Sequence, residues 1–208
     1  MQTLQYALLD AALPHVAFDG WSMRTLIIAA KDIGKTAFDV KRAFPNGVAE
    51  VLACFSARAD AQMLETLARE HDLNSLKIRV RIATAVMVRL RSNMQHREAV
   101  RRAVAFYSMP WNTPHGLKAL WATVDAMWYA AGDTSTDWNY YSKRALLSKV
   151  YITTLHVWLG DESENLADTE AFLYRRIEDV MQIEKLKAKA KETCASLGDW
   201  MPNIPRRG

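Results

Sequence analysis

Three observations point to an all-α fold. Half of the 208 residues are hydrophobic, and with only 8 Gly and 6 Pro the chain is too apolar for disorder and too poor in turn residues for many short strands. Apolar positions recur at three- and four-residue spacing along most of its length. The breaks between these runs carry Gly, Pro or a hydroxyl residue, the usual helix stops and starts. The expected architecture is a bundle of about nine or ten helices in one continuous body, since a chain of this length buries a sizeable core. Repeats, low-complexity tracts and linkers are missing. Three segments are expected: helix-turn-helix-like N-terminal helices over 1–47, a helical body over 48–181 and an amphipathic tail over 182–208.

The opening segment sets Leu4, Leu8, Ala11 and Ala12 at helical spacing, with Pro14 kinking or ending that helix before Phe18-Asp19-Gly20. Ser22 is placed to cap a second helix carrying Met23, Leu26, Ile27 and Ala30. Gly34 is its natural stop, Thr36 the start of a short third helix, and Phe44-Pro45-Asn46-Gly47 a turn before Val48. Helix, helix, tight turn and helix is the outline of a helix-turn-helix. Val51, Leu52, Phe55, Ala59, Met63 and Leu67 then describe a long helix over 48–67. Leu76–Leu90 supplies another, with Ile78, Ile82, Val86, Met87 and Leu90 near one side and Arg79, Arg81, Arg89 and Arg91 largely off it.

Between Phe106 and Gly116 two prolines interrupt the period, so a loop with exposed or half-buried aromatics is expected. The segment 117–131 turns Leu117, Leu120, Trp121, Val124, Trp128 and Ala131 inward. Gly132 can end that helix in a left-handed conformation, and Thr134, Ser135 or Thr136 can start the next. Two stripes run along 138–159: Tyr141, Ala145, Ser148, Ile152, Leu155 and Leu159 on one, Tyr140, Leu147, Tyr151, Thr154 and Trp158 on the other. A helix apolar on two sides meets two partners, the protein's own core and a second chain or ligand.

A net charge of +4 and a pI near 9.1 fit an anionic membrane surface or nucleic acid and select neither. Cys54 and Cys194 lie far apart without metal-ligand spacing, which suggests neither a disulfide framework nor a zinc site and is expected of a reducing compartment. The N-terminus lacks the basic start and continuous apolar core of a signal peptide, and no run of about 18 apolar residues is present to span a bilayer. Membrane contact is therefore expected to be peripheral.

Signatures of catalysis are missing: no HExxH, phosphate-cradling Gly loop, dinucleotide fingerprint or GxSxG elbow, and no His three residues after a Glu as a di-iron bundle requires. Asp133 and Asp137 sit at helix-start spacing and read as a cap and its neighbour rather than an acid/base pair. A non-catalytic chain without cofactor or metal is expected. The Met and aromatic residues at inward positions instead suggest an apolar ligand cavity between the central helices, lined by Met87, Leu90, Leu117, Leu120, Trp121, Val124 and Leu147. Beyond Phe172, Ile177, Val180 and Met181, a helical segment 183–197 would gather Ile183, Leu186, Ala190, Cys194 and Leu197 in one sector, bordered by Lys187 and Lys191. Such a face can dock on an anionic membrane, on its own protein or on a dimer mate.

Two resemblances sharpen these expectations. The first fifty residues resemble the N-terminal module of TetR-type regulators, with a Gly in the turn and Phe-Pro after the third helix. The third helix, however, carries Phe38, Asp39 and Lys41, and a carboxylate facing phosphates is repulsive. That argues against nucleic acid, although a TetR-like regulator sensing an apolar ligand is the alternative reading. The run ALWATVDAMWYAAGDTSTDWNYYSKR, the LDAALPHVAFDGW start and the FLYRRIEDVMQIEKLKAKAK ending resemble the Coq-nine family of ubiquinone-biosynthesis proteins. This resemblance implies a TetR-like fold, homodimerisation through the last long helices, and a lipid-binding accessory protein that presents an isoprenoid quinone intermediate to a di-iron hydroxylase of the Coq-seven type.

The same resemblance implies a membrane-docking C-terminal helix. Because no mitochondrial-type presequence precedes the domain, it also implies a bacterial-type form, cytoplasmic or peripherally at the inner membrane. The partner surface is expected on the hairpin at Asp125, Met127, Trp128, Tyr140, Tyr141 and Arg144. Tyr140 and Arg144 share a face while Tyr141 points about 100° away, so Tyr140 and Arg144 are the expected anchors.

Overall fold

The computed structural model describes residues 2–136 and 138–182, with Trp138 described through its backbone alone. Helices α1 (Gln2–Asp19), α2 (Met23–Asp32), α3 (Ala37–Ala43), α4 (Val48–Glu70), α5 (Ile78–Arg91), α6 (Arg97–Tyr107), α7 (Thr113–Ala130) and α8 (Trp138–Gly160) follow in order. Residues 167–182 form the described part of a further helix, α9, and no strand occurs among the described residues. The expected helical tail 183–197, with Ile183, Leu186, Lys187, Ala190, Lys191, Cys194 and Leu197, lies outside the described residues, as does Asp137.

Local chemistry sets the helix ends. The Ser22 hydroxyl accepts from the Thr25 N–H at 3.0 Å and starts α2. Thr36 and Asp39 form a reciprocal capping box at the start of α3, satisfying two backbone donors that a helix start leaves open. Gly132, at φ +84°, supplies the left-handed turn after α7.

Two boundaries differ from the sequence expectation. α1 runs through Pro14 to Asp19, because Leu13 and Val16 on either side of the proline are buried and their packing outweighs one lost backbone hydrogen bond. The segment 106–116 is mostly helical: α6 reaches Tyr107 and α7 begins at Thr113. Pro114 sits in the first turn of α7, where its missing N–H has no intrahelical role.

Two apolar cores share α4 and α6. Leu8, Leu9, Val16, Leu26, Val40 and Phe44 of the N-terminal helices pack with Leu52 and Phe55 of α4 and with Ala99 and Ala103 of α6, so this core continues past residue 47. The second core gathers Met63 and Leu67 of α4, Val86 and Leu90 of α5, Val124 and Met127 of α7, and Leu147 and Trp158 of α8. Polar contacts stitch the first core to α6: the Trp21 indole N–H donates to the Ala99 carbonyl at 2.9 Å, and the Arg102 guanidinium to the Ala17 carbonyl at 3.0 Å.

Candidate ligand cavity and adjoining aromatic surface

Helices α4 to α8 enclose a cavity of about 240 Å³. Leu52, Leu90, Val100, Val104, Leu120 and Leu155 give it apolar walls, and the exposed Leu117 of α7 and Ile152 of α8 mark its open side. Its volume is below the roughly 300–1,000 Å³ of pockets that take a drug-sized ligand, so it is too small to enclose a long apolar molecule whole.

Of the residues expected to line such a cavity, Leu90, Leu117 and Leu120 do. Met87, Val124 and Leu147 instead fill the second core, at 3%, 0% and 4% exposure, because their neighbours on α5, α7 and α8 close over them. Trp121 packs its ring against Tyr140 and Tyr141.

Buried polar groups anchor one wall. The Arg89 guanidinium donates to the Asp60 carboxylate at 2.7 Å, and the Thr123 hydroxyl donates to the same carboxylate at 3.0 Å. Both charges are buried, so each stabilises the other where neither would be tolerated alone. Residues 60, 89 and 123 lie far apart in sequence, and no local pattern signals their meeting.

The hairpin between α7 and α8 brings the aromatic run together. Ring centroids of Tyr140 and Tyr141 are 5.1 Å apart, and both lie within 6.4 Å of Trp121. The Tyr140 hydroxyl donates to Asp125 at 2.9 Å, while the Arg144 guanidinium lies 3.4 Å from the Tyr140 ring centroid. Arg144 bonds Asp125 at 2.5 Å and Asp133 at 3.1 Å, and Lys143 bonds Asp133 at 2.7 Å.

Burial alone would raise the Asp133 pKa, but hydrogen bonds from Lys143, Ser135 and Arg144 outweigh it and hold the carboxyl down at about 2. Asp133 is thus the centre of an ion-pair network, not the helix cap that its spacing suggests.

This arrangement reassigns the expected anchors. Arg144, 3% exposed and held by two carboxylates, positions its neighbours rather than facing a partner. Met127 is fully buried in the core. Trp128 is half-buried, its indole N–H donating to the Lys143 carbonyl. Tyr141, 58% exposed, is the ring of the Trp121–Tyr140–Tyr141 cluster that faces solvent most openly. Trp121 and the exposed Leu117 lie four residues apart on α7, hence on one helix face, so this aromatic surface adjoins the cavity mouth.

A second buried carboxylate has no local signal in the sequence. Asp161, at the turn after α8, is pushed up by burial. It is nonetheless held at about 2 by the hydroxyls and backbone N–H groups of Ser163 and Thr169. It fixes a turn in which Asn165 and Leu166 take positive φ values of 56° and 63°. Among the described residues, no group of three or more His, Cys, Asp or Glu is placed to hold a metal ion, and no helix is long and apolar enough to cross a membrane.

Helix order and cavity define a TetR-like fold, helical and without strands among the described residues, with an apolar pocket in its body. The fold matches the TetR transcriptional regulator of Nitrosomonas europaea with a TM-score of 0.68, at 21% identity, covering 85% of this chain and 97% of that one. The family model described as COQ9 matches residues 113–184, which hold α7, the aromatic turn, α8 and α9.

Human ubiquinone biosynthesis protein COQ9, mitochondrial, is 31% identical over 202 residues, covering 94% of this chain and 63% of that protein. Xenopus laevis COQ9-B is 36% identical over 186 residues, covering 86% of this chain and 63% of that protein. The chain is similar to the COQ9 proteins over most of its own length, and it spans just under two thirds of the length of these two relatives.

Proposed function

We propose that this chain is a non-catalytic, lipid-binding accessory protein of ubiquinone biosynthesis. It takes one end of an isoprenoid quinone intermediate into the cavity and presents it to a di-iron hydroxylase of the Coq-seven type. The observation that carries this reading is the apolar cavity opening between Leu117 and Ile152, beside the Trp121–Tyr140–Tyr141 surface, in a chain similar to proteins named for ubiquinone biosynthesis. A ligand leaving by that mouth emerges next to rings suited to a protein partner, since aromatic side chains bury large area at low rotamer cost.

The same reading has two chains pair through the last long helices, α8 and α9, and has the segment 183–197 dock peripherally on an anionic membrane. Mass spectrometry of lipids extracted from the purified protein tests the core of it. An isoprenoid quinone is expected with the wild type and not with Ala103→Phe, which fills the cavity. Lipid-free wild-type protein would overturn the reading.

The regulator alternative receives little from α3. Asp39 is engaged by Thr36 and by Arg42, the latter at 3.1 Å, and Phe38 projects at 70% exposure from the helix that would have to approach DNA. A gel shift against the upstream DNA should show no salt-resistant specific complex.

A further inference from the structure

The cavity is apolar on most of its wall, yet two hydrogen-bond donors there have no partner among the described residues. The Trp158 ring is wholly buried and its indole N–H is unpaired. The Tyr107 hydroxyl is likewise buried and unpaired. Four polar side chains on the same wall do have partners: Arg89 and Thr123 bind Asp60, Asn93 donates to the Arg89 carbonyl, and Thr113 donates to the Tyr107 carbonyl. A buried donor left unpaired is costly, and an indole N–H can only donate. A hydrocarbon filling the cavity would leave that cost in place. An oxygen acceptor would remove it.

We propose that the cavity receives the oxygen-bearing end of its ligand, with the Trp158 indole N–H and the Tyr107 hydroxyl donating to carbonyl or ether oxygens while the apolar tail leaves between Leu117 and Ile152. The inference rests on the lipid-binding reading above and adds its polarity: head inside, tail out. Its modest volume agrees, since a compact oxygenated ring needs less room than a long isoprenoid chain.

Burial pushes the Tyr107 hydroxyl up to about 12, so it stays protonated and able to donate at neutral pH. Gly116 holds the tyrosine against α7, because a Cβ at that position would lie 2.9 Å from the Cβ of Tyr107.

The test uses two probes: a quinone bearing a two-isoprene tail, and the corresponding hydrocarbon without oxygen. Each is titrated calorimetrically into the wild type, Tyr107→Phe and Trp158→Phe. Loss of one neutral hydrogen bond at a buried site should weaken quinone binding about 5- to 10-fold in each variant, with hydrocarbon binding unchanged.

Infrared spectra of the wild-type complex should show the quinone carbonyl band shifted to lower frequency, and less so with Tyr107→Phe. This readout does not depend on how well Trp158→Phe folds. If the hydrocarbon binds but the carbonyl band is unshifted and quinone affinity is equal in all three proteins, the head-in orientation is wrong and the lipid reading survives. If neither probe binds the wild type, the lipid reading falls and takes this inference with it.

Discussion

Arg144 is a buried guanidinium at the centre of the aromatic hairpin, and the two carboxylates around it decide whether the hairpin closes. Replacing Asp133 by Asn should leave Arg144 with Asp125 alone, whose side chain is 43% exposed, and free Lys143. Breaking one arm of a buried charge network costs on the order of 3 kcal/mol, measurable by urea unfolding.

The acid dependence has a defined sign. Asp133 and Asp161 are held at about 2 in the fold, below the ordinary carboxylate range. Their stabilisation is complete above the unfolded value of about 4 and is lost as pH falls from there through about 2. Unfolding measured across that window should show a steeper loss for the wild type than for Asp133→Asn.

Composition alone made the aromatic concentration visible, but not the role of Asp133. Its pairing with Lys143 and Arg144 exists only once α8 folds back on α7. Tyr107 was hidden for a different reason: two nearby prolines made a helix end and a helix start look like one loop.

The period of α8 is legible in the sequence as two apolar stripes, but hydrophobicity could not say which one faces the core. The structure buries Leu147, Tyr151, Thr154 and Trp158 and leaves Tyr141, Ala145 and Ile152 outward. Partner binding should follow that division. Tyr141→Ala should weaken binding to the hydroxylase by about 2 kcal/mol, roughly 30-fold, in a calorimetric titration, while the melting temperature stays near that of the wild type. Tyr140→Lys should instead lower the melting temperature, because it removes the hydroxyl bonded to Asp125 and sets an ammonium against the Arg144 guanidinium.

At the scale of the whole molecule, helix order and the helix-turn-helix outline could be read from caps and stops. The sharing of α6 between two cores could not, since the α6 residues buried in the first core are the alanines 99 and 103, whose small side chains leave little trace in a hydrophobic pattern. The proposed homodimer has its own test. Sedimentation at tens of micromolar should show a dimer that Phe172→Arg converts to monomer, because the change puts a charge on α9, away from Tyr141 and from the cavity wall.

Trp21 and Arg102 join the N-terminal helices to α6, and α6 carries Val104 and Tyr107 into the cavity. A chain begun after residue 47 would therefore lose more than a DNA-reading shape. Leu52, Phe55, Ala99 and Ala103 would be stripped of their cover, and α6 would be left as an unbraced wall between water and ligand. The first three helices work as a buttress, which gives a helix-turn-helix with an occupied cap and an awkward Phe38 a mechanical reason to be kept.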